Sequence, residues 1–175
     1  MASTMIPPLI LASGSPRRAA LLKTLGLRFR VVVSSAPEVA PGHLVPREIC
    51  LANAVAKAGV VARRHPGSLV LGADTEVALG LRVFGKPANR REAATFLRAL
   101  SGRTHEVITG VCLVCPERGI RHAFAETTRV TFHPLTDAQI RSYLAKVDPL
   151  DKAGAYAVQE SGETIIESID KDVNL

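Results

Sequence analysis

Tryptophan is absent from this chain of 175 residues, and two tyrosines and five phenylalanines bring the aromatic share to only 4%. So few stacking platforms argue against a binder of single-stranded nucleic acid, which relies on bases laid on aromatic rings. Cysteine is equally scarce: Cys50, Cys112 and Cys115 are too few, and odd in number, for a disulfide framework. No segment repeats at a solenoid period. The opening stretch MASTMIPPLILAS carries no lysine or arginine ahead of a short apolar run broken by two prolines. Neither a signal peptide nor a membrane span is expected there, which points to a cytoplasmic protein with no membrane partner.

What is present is ordinary for a folded domain. Hydrophobic residues make up 47% and charged residues 22%, and the length fits a single domain over residues 1–175. Charge is unevenly spread: residues 1–88 hold 11 basic and 4 acidic residues, whereas residues 89–175 hold 11 and 12. A basic first half favours an anionic partner such as a nucleotide.

Apolar periodicity and turn residues divide the chain into alternating elements. Pro8–Ala12 reads as a buried strand, and Ser13-Gly14-Ser15 as a turn. A helix then starts at Pro16 behind a Ser15 cap, with Leu21, Leu22 and Leu25 as its apolar stripe and Gly26 as its stop. Arg28–Val33 reads as a strand, Ser34–Pro46 as a loop and Arg47–Arg64 as a helix stopped by His65-Pro66-Gly67. Leu69–Val77 and Leu81–Phe84 form an expected hairpin about Leu79-Gly80. A helix capped by Asn89 runs to Leu100, strands follow at Val107–Cys115 and Ile120–Phe132, and a helix capped by Thr136 runs to Val147. Beyond Asp148-Pro149 the chain is irregular until a strand at Thr164–Ile169. This order predicts an α/β fold, a mixed and twisted sheet flanked by helices.

Three stretches carry chemistry. In Ser13-Gly14-Ser15-Pro16-Arg17-Arg18 a strand gives way to a helix with two arginines in its first turn. Cations there oppose the helix dipole, so propensity alone does not place them; a bound phosphate, also favoured by the unpaired N–H groups, would. Two solvated arginines beside a capped helix are the rival reading. In Gly72-Ala73-Asp74-Thr75-Glu76 a carboxylate at the end or interruption of an apolar strand can hold a divalent metal on a polyphosphate or take a proton from water. A turn-capping aspartate is the alternative. In Asp148–Gln159 a turn-rich segment ends on Gln159, whose amide can read a base edge or sit on a surface loop.

Other patterns are set aside. GLRVFGKP (80–87) nearly spells a P-loop, but Pro87 replaces the magnesium-binding hydroxyl, which leaves Lys86 as a lone cation after a hairpin. Cys112 and Cys115, three apart in a strand, face opposite sides and read as buried thiols. The histidines at 43, 65, 105, 122 and 133 form no ligand pair.

Taken in order, LILASGSPRRAALL, Glu38, LANAVAKA with Lys57, LGADTEV, GKP, LSGRTHEVITGV and DPLDKAGAYAVQ resemble the Maf family of nucleoside triphosphate pyrophosphatases from about Leu9 to Gln159. The resemblance implies an elongated α/β fold of the Maf and ITPase type with a nucleotide cleft. It implies hydrolysis of a nucleoside triphosphate to monophosphate and pyrophosphate with a divalent cation, magnesium or manganese. Its proton-accepting aspartate falls on Asp74 and its phosphate-binding basic residues on Arg17, Arg18, Lys57 and Lys86, while Ser13 and Glu38 fall on other site positions. Asp74 and Glu38 are then the metal-side carboxylates. Arg17, Thr75 and Gln159 match the specificity positions of the branch acting on dTTP and UTP. The 7-methyl-GTP branch, which tends to Ser-Asp-Gln, and a nucleotide binder without turnover are the alternatives. Members are often dimeric, so a homodimer is compatible, and no nucleic-acid partner is expected. After Gln159 the family's glycine-rich stretch is replaced by Glu160-Ser161-Gly162-Glu163, and the sequence stops at Leu175, before the family's Val-Gly-Leu-Pro segment.

Overall fold

A computed structural model describes residues 6–39, 42 and 44–170. Met1–Met5 of the leader reading, and Ala40, Pro41 and His43 of the expected loop, lie outside the described residues. Among the described residues, seven strands and four helices follow in the order β1 (Leu9–Leu11), α1 (Pro16–Thr24), β2 (Phe29–Val31), α2 (Pro46–Arg64), β3 (Leu69–Leu79), β4 (Arg82–Phe84), α3 (Arg90–Leu100), β5 (Thr104–Cys115), β6 (Ile120–Phe132), α4 (Asp137–Lys146) and β7 (Ile166–Asp170). The sheet order is β2-β1-β3-β5-β6-β7, with β4 paired to β3. β1 runs parallel to β2 and β3, whereas β3–β4 and β6–β7 are antiparallel, so the sheet is mixed as expected.

The chain divides into two compact units. One gathers the described residues of 1–40, 48–74 and 110–125; the other gathers those of 41–47, 75–109 and 126–175. The first is built on Ile10, Ala12, Ala54, Ala58, Val61, Ala62, Val70 and Cys112. It is a core of small side chains, and two glycines explain why. A Cβ on Gly72 would lie 2.5 Å from the Ala54 carbonyl oxygen and 2.7 Å from the Ala58 nitrogen, and one on Gly110 would press into the Cys50 carbonyl. Helix α2 therefore rests backbone against backbone on β3 and β5, a closeness only glycine permits.

The second unit is conventional by contrast, packing large side chains such as Phe84, Leu97, Leu100, Phe132, Ile140 and Tyr143 between α3, α4 and the sheet. Asn89 caps α3 by accepting from the Glu92 N–H, and Thr136 with Gln139 forms a reciprocal capping box on α4. Two expectations need correction. The stripe on α1 is not buried as a stripe: Leu22 is covered, but Leu21 and Leu25 are 54% and 71% exposed. Periodicity in a nine-residue helix marks a face without specifying how much of it is covered. The strand expected over Leu69–Val77 runs two residues further, to Leu79, so Asp74 lies within it and not at its end; Val77-Ala78-Leu79 pairs with Arg82-Val83-Phe84 in the expected hairpin.

Candidate active site

Asp74 sits just past the parallel part of the sheet. β1 pairs with β3 only over Leu69–Leu71, with one further bond from the Ala12 N–H to the Leu71 carbonyl; β1 then turns away at Ser13. The carboxylate is thus inside a strand and yet at the carboxyl end of its parallel neighbour, where α/β sheets place ligands.

The residues around it come from α2. Asn53 and Lys57 are one turn apart, so their side chains leave the same helix face. Lys57 Nζ donates to Asp74 Oδ1 at 2.5 Å and Asn53 Nδ2 donates to Asp74 Oδ2 at 2.9 Å. Asn53 cannot turn its amide over, because its Oδ1 accepts the Val39 N–H at 2.7 Å. Lys57 Nζ also donates to Glu38 Oε1 at 3.0 Å, so two carboxylates meet on one ammonium. Burial alone would lower the Lys57 pKa, but Asp74 and then Glu38 outweigh it and hold the group above its ordinary value. The lysine is a fixed cation.

Arg18 completes this centre from α1. Its Nη1 donates to the Ser13 hydroxyl at 3.2 Å and to the Ala73 carbonyl at 2.8 Å, and the same hydroxyl accepts the Ser15 N–H at 3.2 Å. The guanidinium thereby braces the β1 turn against the residue preceding Asp74. Burial pulls Arg18 below its ordinary value, with Asp74 opposing; a guanidinium stays charged nonetheless. Arg17, its neighbour in the first turn, is exposed.

Ser13, Arg18, Glu38, Lys57 and Asp74 are therefore brought together, and Asn53 joins them. Sequence reading missed Asn53; the available signal was a poor helix former inside the alanine-rich LANAVAKA, four residues before Lys57. Of the other expected positions, Arg17 belongs to the first unit and Thr75, Lys86 and Gln159 to the second. The Thr75 hydroxyl lies 3.0 Å from that of Thr109. Lys86 is exposed after β4, and Gln159 is exposed after a short 3₁₀ turn at Ala153–Ala155. The Gly154 N–H donates to the Gly85 carbonyl at 3.1 Å, tying the segment before Gln159 to the loop of Lys86. Cys112 and Cys115 are buried thiols as expected, and Cys50 is buried too; none of the three is in a disulfide.

Among the described residues no three His, Cys, Asp or Glu side chains gather as a closed metal cage. Magnesium does not ask for one. It is commonly held by one or two carboxylates with substrate phosphates and water supplying the remaining oxygens, a donor set that Asp74 and Glu38 fit. No helix of the described residues is long and apolar enough to cross a membrane.

Comparison with known proteins gives a consistent result. A family model described as Maf-like protein matches residues 8–174. A dTTP/UTP pyrophosphatase of Akkermansia muciniphila is 49% identical over 170 residues, 97% of this chain and 89% of the relative. One from Bacillus mycoides is 44% identical over 164 residues, 94% and 85% of the two chains. Among solved structures, a HAM1 protein from Coxiella burnetii shares the fold, with a TM-score of 0.51 over 73% of each chain at 21% identity.

Proposed function

The chain belongs to the Maf-like protein family, and from that premise we propose that it hydrolyses dTTP and UTP to the nucleoside monophosphate and pyrophosphate. Residues 1–175 act as one pyrophosphatase domain on this reading. The observation that carries it is the buried Asp74 carboxylate gripped by Lys57 and Asn53. An ionised carboxylate offers about four lone-pair sites, so two donors still leave acceptor capacity for water. Water adds its oxygen to phosphorus, its proton passes to Asp74, and the bridging oxygen leaves with pyrophosphate. Lys57, Arg17 and Lys86 grip the phosphates, and Arg18 keeps Ser13 and Ala73 in register beside them. A divalent cation, when bound, offsets charge on the phosphate oxygens, and Asp74 and Glu38 are the residues that would hold it.

Thr75 and Gln159 are assigned to the base. An amide presents a donor beside an acceptor, which suits the imide edge of thymine or uracil. A panel of nucleoside triphosphates assayed for monophosphate and pyrophosphate tests the reading. dTTP and UTP should turn over above the others; orthophosphate as product, or turnover of 7-methyl-GTP alone, would overturn it. Gln159→Ala should raise KM for dTTP and UTP by roughly 5–150-fold, the loss of about 1–3 kcal/mol from an unpaired amide edge, and flatten the preference.

The phosphate grip has its own signature. Arg17→Ala and Lys86→Ala should each weaken binding of UTP more than that of UMP, because the product has lost two of the three phosphates. Titration of each variant with both nucleotides checks this. Equal losses for UTP and UMP would move the residue away from the phosphates.

A further inference from the structure

Lys152 is a lysine almost without exposed surface, at 3%. Its Nζ meets three acceptors: the Asp148 carbonyl at 2.7 Å, Asp151 Oδ1 at 2.7 Å and Glu160 Oε2 at 3.0 Å. Three acceptors match the three hydrogens of an ammonium, so the charge is buried but fully paired. Asp148 and Asp151 precede Lys152 closely in the chain, whereas Glu160 returns from eight positions later.

The backbone between Lys152 and Glu160 is unusual. Gly154 and Ala155 are consecutive left-handed residues, with φ of 68° and 67°. Alanine adopts that conformation only where its surroundings over-determine it. Here the Ala155 N–H donates to the Lys152 carbonyl at 3.1 Å, and the Tyr156 hydroxyl lies 2.7 Å from His105 Nε2. The Ala157 N–H donates to the Tyr143 hydroxyl at 3.2 Å. These bonds hold the segment as far as Ala157. Gln159 comes next but one, its residue exposed. Beside it in the chain, Glu160 is tied to Lys152.

We propose that Lys152 and Glu160 form a clasp that positions Gln159, so that Lys152 acts as a specificity-positioning residue through the backbone on the far side of the amide. This rests on the reading of Gln159 as the base-recognising residue. Because Gly154 also donates to Gly85, the clasped segment and the Lys86 loop form one hydrogen-bonded piece.

Glu160 is the partner to change, since removing it leaves the ammonium on Asp148 and Asp151 and the loop can still fold. KM and kcat for UTP and for ATP are measured in Glu160→Ala, Glu160→Gln, Gln159→Ala and the double alanine variant, with thermal melting alongside. Glu160→Ala should raise KM for UTP by about 5- to 10-fold, the size expected for a misplaced hydrogen-bonding group, with little change in kcat or in KM for ATP. Glu160→Gln keeps an oxygen toward Lys152 and should recover most of the loss. In the Gln159→Ala background, Glu160→Ala should add nothing, because the amide it positions is gone. Equal damage to UTP and ATP, or effects that multiply in the double variant, would make the clasp merely structural and overturn the proposal. A normal Glu160→Ala beside an impaired Gln159→Ala overturns the clasp and leaves base reading intact. An unchanged base preference in Gln159→Ala, seen without reference to Glu160, removes both.

Discussion

Asp74→Asn is expected to lower kcat by roughly 10²–10⁴-fold, the usual contribution of a positioned base, while nucleotide affinity survives. The change keeps the shape of the side chain and removes its basicity and charge. The cations toward the triphosphate remain and one repelling charge is gone. The geometry adds a second consequence. Asp74 faces two donors, the Lys57 ammonium and the Asn53 amide, and the Asn53 amide is fixed in orientation by the Val39 N–H. An asparagine has one acceptor oxygen and one NH₂, so whichever way it turns, a donor meets a donor. A buried clash of that kind costs about 1–3 kcal/mol, or about 2–12 °C in Tm for a chain of this size. Single-turnover rate, nucleotide affinity and melting are therefore measured on the same preparation. A kcat near wild type would remove Asp74 from the chemistry. Lost affinity in a folded variant would make it chiefly a metal ligand.

Gly72→Ala should have a large effect for a single methyl group in the protein's first unit. The new carbon would meet the Ala54 carbonyl oxygen at 2.5 Å, the Ala58 nitrogen at 2.7 Å and the Ala58 Cβ at 2.8 Å. Two of these are backbone atoms, which cannot swing aside as a flexible side chain does. Overpacking of this kind costs about 3 kcal/mol or more, which corresponds to a fall in Tm of about 6–12 °C or more. If the helix is displaced as a body instead, Asn53 and Lys57 move away from Asp74, and kcat falls with the melting temperature. Thermal unfolding and turnover together check this; a variant that melts and turns over like the parent would mean that α2 lies farther from β3 than described.

The contrast between these two positions shows what could be read in advance. Pro16, Gly26, Asn89, Thr136 and Gly80 are punctuation with a local cause, and the elements they bound lie within a few residues of expectation. Asp74 and Lys57 were legible through the ordered resemblance, but their direct contact was not, since seventeen residues and a helix-to-strand crossing separate them. Asn53 was hidden because an asparagine among alanines looks like a weak helix residue until the strand it faces is known. The exposure of Leu21 and Leu25 was hidden for a related reason: an apolar face is a local property, whereas its cover is a tertiary one. Lys152 is the clearest case. Nothing in DKAGA announces that a lysine is buried, because its pairing depends on a glutamate brought back by two left-handed residues.

The contact of α2 on β3 also constrains how this family member can drift. Gly72 has no side-chain volume left to surrender, and Ala54 and Ala58 opposite it are wholly enclosed. Compensation between the two elements therefore runs in one direction only. A larger residue at 54 or 58 has no smaller partner to meet it on the strand, so the permitted exchange there is alanine for glycine. That exchange carries its own penalty of about 1 kcal/mol in helix propensity. Substitutions on this surface are thus closed off on the strand and nearly closed on the helix, and the register of Lys57 over Asp74 is inherited as a consequence of volume rather than of charge.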